Sequence, residues 1–257
     1  MMKNLIKRHL LWDVKLPAYY AAFAAVSVII CRLTDPVTDS AVGLFINRLF
    51  FGIAISMAVS TVINMLIRCW VRFTHTSYKD ESYLYHTLPL PRAKLYRSHL
   101  ISSAVAVTVS VIFAALCALL LFINADFIDG VKAAFSTAAG AATAVLIATT
   151  LLMEMIFLLF CGIVGTIIGY SFDGSRTLKS VLFAAAIYVC AGLAALPLVY
   201  LLGIADPAIK AIFTEGGSPF STSFWKIGST LTAYYVALSA LLAWIGGKLY
   251  LKKINVD

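Results

Sequence analysis

Long apolar runs alternate with short polar segments along the whole 257-residue chain. A helix that crosses a membrane needs about 20 mostly apolar residues, and six runs approach or exceed this length. They are residues 17–33, 43–67, 100–123, 136–170, 181–204 and 229–247. The pattern predicts an all-α, polytopic integral membrane protein with six transmembrane helices, in which residues 1–257 form one transmembrane domain.

Composition supports this prediction. The chain is 61% hydrophobic with a mean hydropathy of +0.93 and only 12% charged residues, whereas soluble domains have about 25% charged residues. The net charge of +8 could indicate nucleic-acid binding, but the basic residues form no stripe with interleaved aromatics. They lie in short loops and tails, so membrane lipid rather than nucleic acid is the predicted partner.

The distribution of Lys and Arg predicts the orientation. With the N-terminus inside, 15 of the 20 basic residues fall in inner segments and five in outer ones. Because inner loops carry the excess of positive charge, both termini are expected to be cytoplasmic in a multi-pass protein of the cell membrane. The five predicted outer residues are Arg32, Arg48, Lys132, Lys210 and Lys226.

Two segments beside the predicted spans have patterns of their own. Residues 1–16 are loosely amphipathic, which predicts an interfacial helix with Trp12 at headgroup level; the alternative is an extension of the first span. Residues 205–228 contain a helix-start signal, Asp206-Pro207, then Gly, Pro and aromatic residues. This composition predicts a short helix and a turn at the outer face.

The candidate ligands for metals are scattered. The four histidines, His9, His75, His86 and His99, are spread along the chain near the predicted inner interface, and none of the five cysteines forms a CxxC pair. The cysteines are expected to act as small buried hydrophobic residues. The sequence also lacks the nucleotide-binding GxxxxGK[ST] motif and the HExxH and GxSxG motifs. No metal, no cofactor and no enzymatic activity are therefore predicted for this chain.

Glu154 is expected to be the only carboxylate deep inside a span. A charge at mid-bilayer is costly, so Glu154 should face protein or water, or be protonated. It is either a functional residue, paired with Arg48, or a structural hydrogen-bonded one. In the same predicted span, Gly165 and Gly169 form a GxxxG motif that favours close helix packing, within one subunit or between two.

The predicted cytoplasmic segment 68–99 contains the stretch ESYLYHTLPLPRAKLYRSHL. Asp80 can cap a short helix that begins at Glu81, and Pro89 ends it near Leu88. Pro91 suits the first position of the next helix. The stretch therefore predicts a short helix, a rigid elbow and a basic stem, whereas a plain loop with incidental prolines is the alternative.

This stretch resembles a segment of type-2 ABC transporter permeases, E-x-Y-L-x-x-T-L-P-x-x-R/S-x-x-L-x-x-S-K-L. His99 stands where Lys is usual in that family. In the family, this region holds a coupling helix that docks on a separate cytoplasmic ATPase. The matching residues are Glu81, Tyr83, Leu84, Thr87, Leu88, Pro89, Arg92, Leu95, Ser98 and Leu100.

The resemblance implies the permease subunit of an ATP-driven exporter in the bacterial cytoplasmic membrane. Its partners would be an ATPase subunit, which binds ATP and Mg²⁺, and a second permease subunit in a homodimer or heterodimer. The residues expected to couple the two proteins are Glu81, Tyr83, Leu84, Leu88, Pro89 and Arg92. Three alternatives stay open. The first is a non-transporting scaffold or sensor partner that docks a cytoplasmic protein through residues 79–97. The second is an intramembrane enzyme around Glu154 and the histidines near the inner interface, and the third is a secondary carrier.

Overall fold

A computed structural model gives the fold of the chain. It describes residues 2–37, 40–79, 81–83, 87, 90–123, 129, 132, 135–136, 138–172, 174–206, 209 and 222–253. Within these residues the long helices are α1 (Met2–Thr34), α2 (Ala41–Tyr78), α3 (Arg92–Phe122), α4 (Ala138–Gly169), α5 (Arg176–Ala205) and α6 (Thr222–Lys253). A short 3-10 helix, Asp35–Val37, follows α1.

Each of these six helices is long and apolar enough to cross a membrane, and the described residues contain no strand. The predicted all-α class and the number of spanning helices are therefore confirmed. All of these helices except α4 extend beyond the predicted apolar runs at one end or both. At the start of α2, for example, the Ser40 hydroxyl accepts a hydrogen bond from the Gly43 N–H at 3.0 Å, which satisfies one of the free N–H groups at a helix start.

The predicted interfacial helix and the predicted first span form one continuous helix, α1. Pro17 lies inside it rather than at a boundary. Proline has no N–H to donate to the carbonyl four residues earlier, so the carbonyl of Asp13 loses its normal helical donor. In the two turns before Pro17, His9 and Asp13 are both buried, so this part of the helix is held by packing.

Residues 1–128 form the first of two compact units. Its helices α1, α2 and α3 all contact one another. Their apolar core consists of small or slender side chains, which allow close helix approach. The core residues are Ala24, Val28, Cys31, Ala54, Ala58, Cys117 and Leu121.

Residues 129–257 form the second compact unit. Here α4 packs against both α5 and α6. The core contains Phe157, Cys161 and Val164 of α4 together with Leu242 of α6. Each unit is a grouping of helices, and the sequence prediction of one transmembrane domain stays a prediction.

The connection between α5 and α6 differs in part from the expected short helix and turn at 205–228. Helix α6 begins at Thr222, seven residues earlier than the predicted span, so the end of this segment belongs to a long helix. Asp206 follows α5 and forms an ion pair with Lys226 of α6. Residues 207–208 and 210–221 lie outside the described residues.

Candidate functional site

The segment between α2 and α3 is tied to α2 by an ion pair. One guanidinium nitrogen of Arg72, Nη1, lies 2.9 Å from each carboxylate oxygen of Glu81. The Arg72 side chain is 4% exposed and that of Glu81 is 43% exposed. Glu81, the first of the predicted coupling residues, is therefore held by a buried arginine, while part of its carboxylate faces outward.

Two further residues of the segment, Tyr83 and Thr87, are exposed. Ser82 and Tyr83 have helical backbone, and the Tyr83 side chain is 69% exposed. The N–H of Thr87 donates to the Tyr83 carbonyl at 3.1 Å, a spacing typical of an α-helical turn. These observations fit the predicted short helix. Leu84, Leu88 and Pro89 lie outside the described residues, so their predicted role stays a prediction.

The basic stem is part of α3. Its first helical residue is Arg92, an exposed side chain. Pro91 precedes the helix instead of occupying its first position, and its carbonyl accepts hydrogen bonds from the N–H groups of Lys94 and Leu95. The predicted helix start is thus one residue early. The stem continues directly into the apolar part of α3, so a displacement of the segment would reach a membrane-spanning helix.

Arg72 also contacts α1. Its guanidinium carbon lies 4.9 Å from the centre of the Trp12 ring, and that of Arg68, one turn earlier on α2, lies 4.4 Å from the same ring. Cations over an indole are attracted by the negative face of the ring. Trp12, predicted to sit among lipid headgroups, is therefore in contact with two arginines of the protein.

The three helices of the first unit also bury a cluster of polar side chains. The rings of His9 and His99 are 4.3 Å apart, and a 2.9 Å hydrogen bond joins His99 Nε2 to the hydroxyl of Thr76. Asp13 is 0% exposed. Neither of its carboxylate oxygens has a hydrogen-bond partner among the described residues.

This cluster changes one interpretation made from the sequence. The rings of His9 and His99, which are far apart along the chain, lie side by side. The prediction that Glu154 is the only carboxylate deep inside a span stays a prediction. The available signal was spacing: His9 and Asp13, like Arg68 and Arg72, are four residues apart and so share one helix face.

An open cavity of about 810 Å³ lies beside the Arg72–Glu81 pair. Its walls come from the first four turns of α1 and from the two members of the pair. The side chains that line it include Lys7, Arg8, Trp12, Lys15, Arg72 and Glu81. Four of these side chains carry positive charge and one carries negative charge, so the cavity favours an anion.

In the second unit, Glu154 accepts a hydrogen bond from the hydroxyl of Tyr188 at 2.9 Å. Both side chains are half-buried. This hydrogen bond gives Glu154 a partner on α5. Arg48 is an exposed residue of α2, and its predicted pairing with Glu154 stays a prediction.

Gly165 and Gly169 lie where α4 passes close to α5. A Cβ atom on Gly165 would be 2.6 Å from the backbone nitrogen of Ala184, and one on Gly169 would overlap the backbone nitrogen and the hydroxyl of Ser180. Real Cβ atoms do not approach other atoms this closely. The two glycines therefore allow α4 and α5 of one chain to pack together.

Metal-binding groups are absent from the part of the chain that the structure describes: no three His, Cys, Asp or Glu side chains lie together in a way that could hold an ion. All five cysteines are free. Four are buried, as expected, whereas Cys190 is exposed.

Comparison of the chain with protein-family models, with curated proteins and with solved structures finds no match.

Proposed function

We propose that the chain is the permease subunit of an ATP-driven ABC exporter. A separate cytoplasmic ATPase would bind ATP and Mg²⁺ and dock on residues 79–97. A second permease subunit, identical or related, would complete the transport pathway in the cell membrane. Both termini are cytoplasmic in this proposal, and the first turns of α1 lie at the inner membrane interface.

The observation that carries the proposal is the Arg72–Glu81 ion pair. Glu81 begins the stretch that resembles the coupling helix of type-2 ABC permeases, and it is bonded to a buried arginine of α2. Arg72 in turn contacts Trp12 of α1. A force applied at Glu81 would therefore reach two apolar helices directly, as a coupling element requires.

The exposed Tyr83 side chain supplies the docking surface in this proposal. A large side chain that is 69% exposed contributes little to the folding of its own chain, but aromatic residues are frequent among those that dominate protein–protein contacts. ATP-driven closure of the ATPase would push the segment, and rigid-body motion of α3 would open the pathway.

The test is affinity purification of the tagged chain from its native membrane in mild detergent, with mass spectrometry and an ATPase assay of the eluate. We expect a stoichiometric ATPase subunit that is lost with Tyr83→Asp and with Leu84→Asp. The matched control is Leu178→Asp, which changes another exposed apolar residue near the start of α5. Normal ATPase recovery and normal transport with both segment variants would overturn the proposal.

The second candidate function is a non-transporting scaffold or sensor partner that holds a cytoplasmic protein through the same segment. The half-exposed Glu81 and exposed Tyr83 favour it equally well, because both functions need a docking surface. A partner without ATPase activity in the eluate, lost with Tyr83→Asp, would favour the scaffold.

A further inference from the structure

We propose that the cavity beside Arg72 binds the headgroup of an anionic phospholipid. The site is formed by one face of the first turns of α1 and by Arg72 of α2. It lies entirely within the first unit, and it does not depend on whether an ATPase docks on the chain. The argument rests on its charge, on the fixed position of one cation, and on the surface that continues from it along α1.

The charge of the cavity is concentrated on one side of α1. Lys7, Arg8 and Lys15 are exposed residues that line the same cavity. Lys15 follows Arg8 by seven residues and Lys7 by eight, about two helical turns, so its side chain lies on the same side of α1 as theirs. With Arg72 and Glu81 the lining has a net charge of +3. Lys and Arg near a membrane surface attract anionic lipid headgroups.

One of the cations is held in place. Arg72 is buried, and its guanidinium is fixed between the Glu81 carboxylate and the Trp12 ring. A guanidinium presents several donors in a fixed plane that suits phosphate oxygens. A positioned arginine loses less side-chain entropy on binding than a mobile lysine would. The cavity is thus a partly preorganised anion site.

The surface of α1 beyond the cavity is apolar and exposed. Leu11, which lines the cavity, is 58% exposed, and the same side of the helix continues through Tyr19, Phe23 and Val26, all of which are also exposed. These side chains follow one another at spacings of eight, four and three residues. Such spacings correspond to about two turns or one turn of a helix, so the side chains form one stripe. A headgroup held in the cavity would have its acyl chains beside this stripe. The combination of a cationic cavity and an adjoining apolar stripe fits a phospholipid better than a soluble phosphate.

The test measures binding of short-chain lipids to the purified full-length chain by native mass spectrometry in detergent. The probes are dihexanoyl phosphatidylglycerol, dihexanoyl phosphatidylcholine and glycerol 3-phosphate. The cavity variant is Lys7→Gln with Arg8→Gln, two exposed residues whose change should not prevent folding. The matched control is Lys248→Gln with Lys252→Gln, which removes the same charge from exposed residues of α6, one of them 3.7 Å from the Trp244 ring.

We expect phosphatidylglycerol to bind more tightly than the other two probes. The cavity variant should weaken the binding of phosphatidylglycerol about 30-fold. This value follows because each basic residue near a membrane surface contributes about 1 kcal/mol, and about 1.4 kcal/mol corresponds to a tenfold change in affinity. The control variant should leave the binding unchanged. Equal weakening by both variants would mean diffuse attraction and overturn the site. Equal binding of phosphatidylcholine would overturn charge recognition, and equal binding of glycerol 3-phosphate would overturn the lipid assignment.

Discussion

Arg72 holds both carboxylate oxygens of Glu81 at 2.9 Å from a single guanidinium nitrogen. The arginine is buried in the first unit and the glutamate is half exposed. This ion pair joins the segment between α2 and α3 to helix α2. Its two residues also form one wall of the cationic cavity. The same arginine therefore belongs to both proposed sites.

Replacement of Glu81 tests the mechanical role of this pair. We expect Glu81→Gln to lower the free energy of unfolding by about 1 kcal/mol, between the values for exposed and buried pairs. It should nevertheless reduce stimulation of the proposed partner ATPase by transport substrate, because a neutral Gln holds Arg72 of α2 less strongly than the carboxylate does. Thermal unfolding in detergent and the ATPase assay measure the two effects.

The control for this experiment is Asp35→Asn. Asp35 pairs with Arg32, and its side chain is as exposed as that of Glu81, but it follows α1 far from the predicted coupling segment in sequence. Its replacement should leave ATPase stimulation unchanged. Full stimulation with Glu81→Gln would contradict the role assigned to the ion pair.

Asp13 is a buried carboxylate whose oxygens have no hydrogen-bond partner among the described residues. Burial of such a group without a partner is unfavourable, so we expect Asp13→Asn, which removes the charge at nearly the same size, to leave the free energy of unfolding unchanged or to raise it by about 1–3 kcal/mol. Thermal unfolding in detergent measures the change. The control is Asp129→Asn, which affects an exposed pair with Lys132 and should lower the free energy of unfolding by less than about 1 kcal/mol. A loss of about 3–5 kcal/mol with Asp13→Asn would show instead that the charge of Asp13 stabilises the fold.

The glycines of the second unit offer a pair of matched substitutions. Gly165→Ala places a Cβ against the backbone of Ala184, whereas a Cβ on Gly192 has nothing within 4 Å. We expect Gly165→Ala to destabilise the fold by about 1–3 kcal/mol through overpacking. Gly192→Ala should be neutral or stabilise the fold by up to about 1 kcal/mol through higher helix propensity. Unfolding in increasing denaturant measures both, and equal effects would contradict the close approach of α4 and α5.

The hydrogen bond between Tyr188 and Glu154 can be tested by a double-mutant cycle. Tyr188→Phe and Glu154→Gln should each destabilise the protein, and the double variant should cost less than the sum, with a coupling of about 1 kcal/mol. Loss of transport with Glu154→Gln but not with Tyr188→Phe would assign Glu154 to the transport pathway. Loss of stability with unchanged transport in both variants would assign it to structure.

Sequence reasoning located the six spanning helices because the length of an apolar run is a local property. It placed their ends less well. The first predicted span begins at residue 17, whereas α1 begins at Met2. The polar start of this helix contains two buried residues, His9 and Asp13, and their burial depends on the packing of α1 rather than on the length of an apolar run. Pro17, an apparent boundary, lies inside the helix for the same reason.

The coupling segment, too, could be predicted from the sequence only in part. The proline elbow and the resemblance to ABC permeases pointed to Glu81, but the sequence did not identify Arg72 as its partner. That pairing depends on how the chain returns after the end of α2. Arg72 was counted among the inner basic residues, where its charge would serve orientation alone.

The order of residues is enough to predict six helices long and apolar enough to cross a membrane, with a basic, proline-broken segment between the second and the third. Which polar side chains meet depends on the packing of the helices: Arg72 with Glu81, His9 with His99, and Tyr188 with Glu154. Hydrophobic length and backbone restrictions act along the chain. Ion pairs, ring contacts and cavities instead require residues from different helices to lie within a few ångströms, which only the packing of those helices fixes.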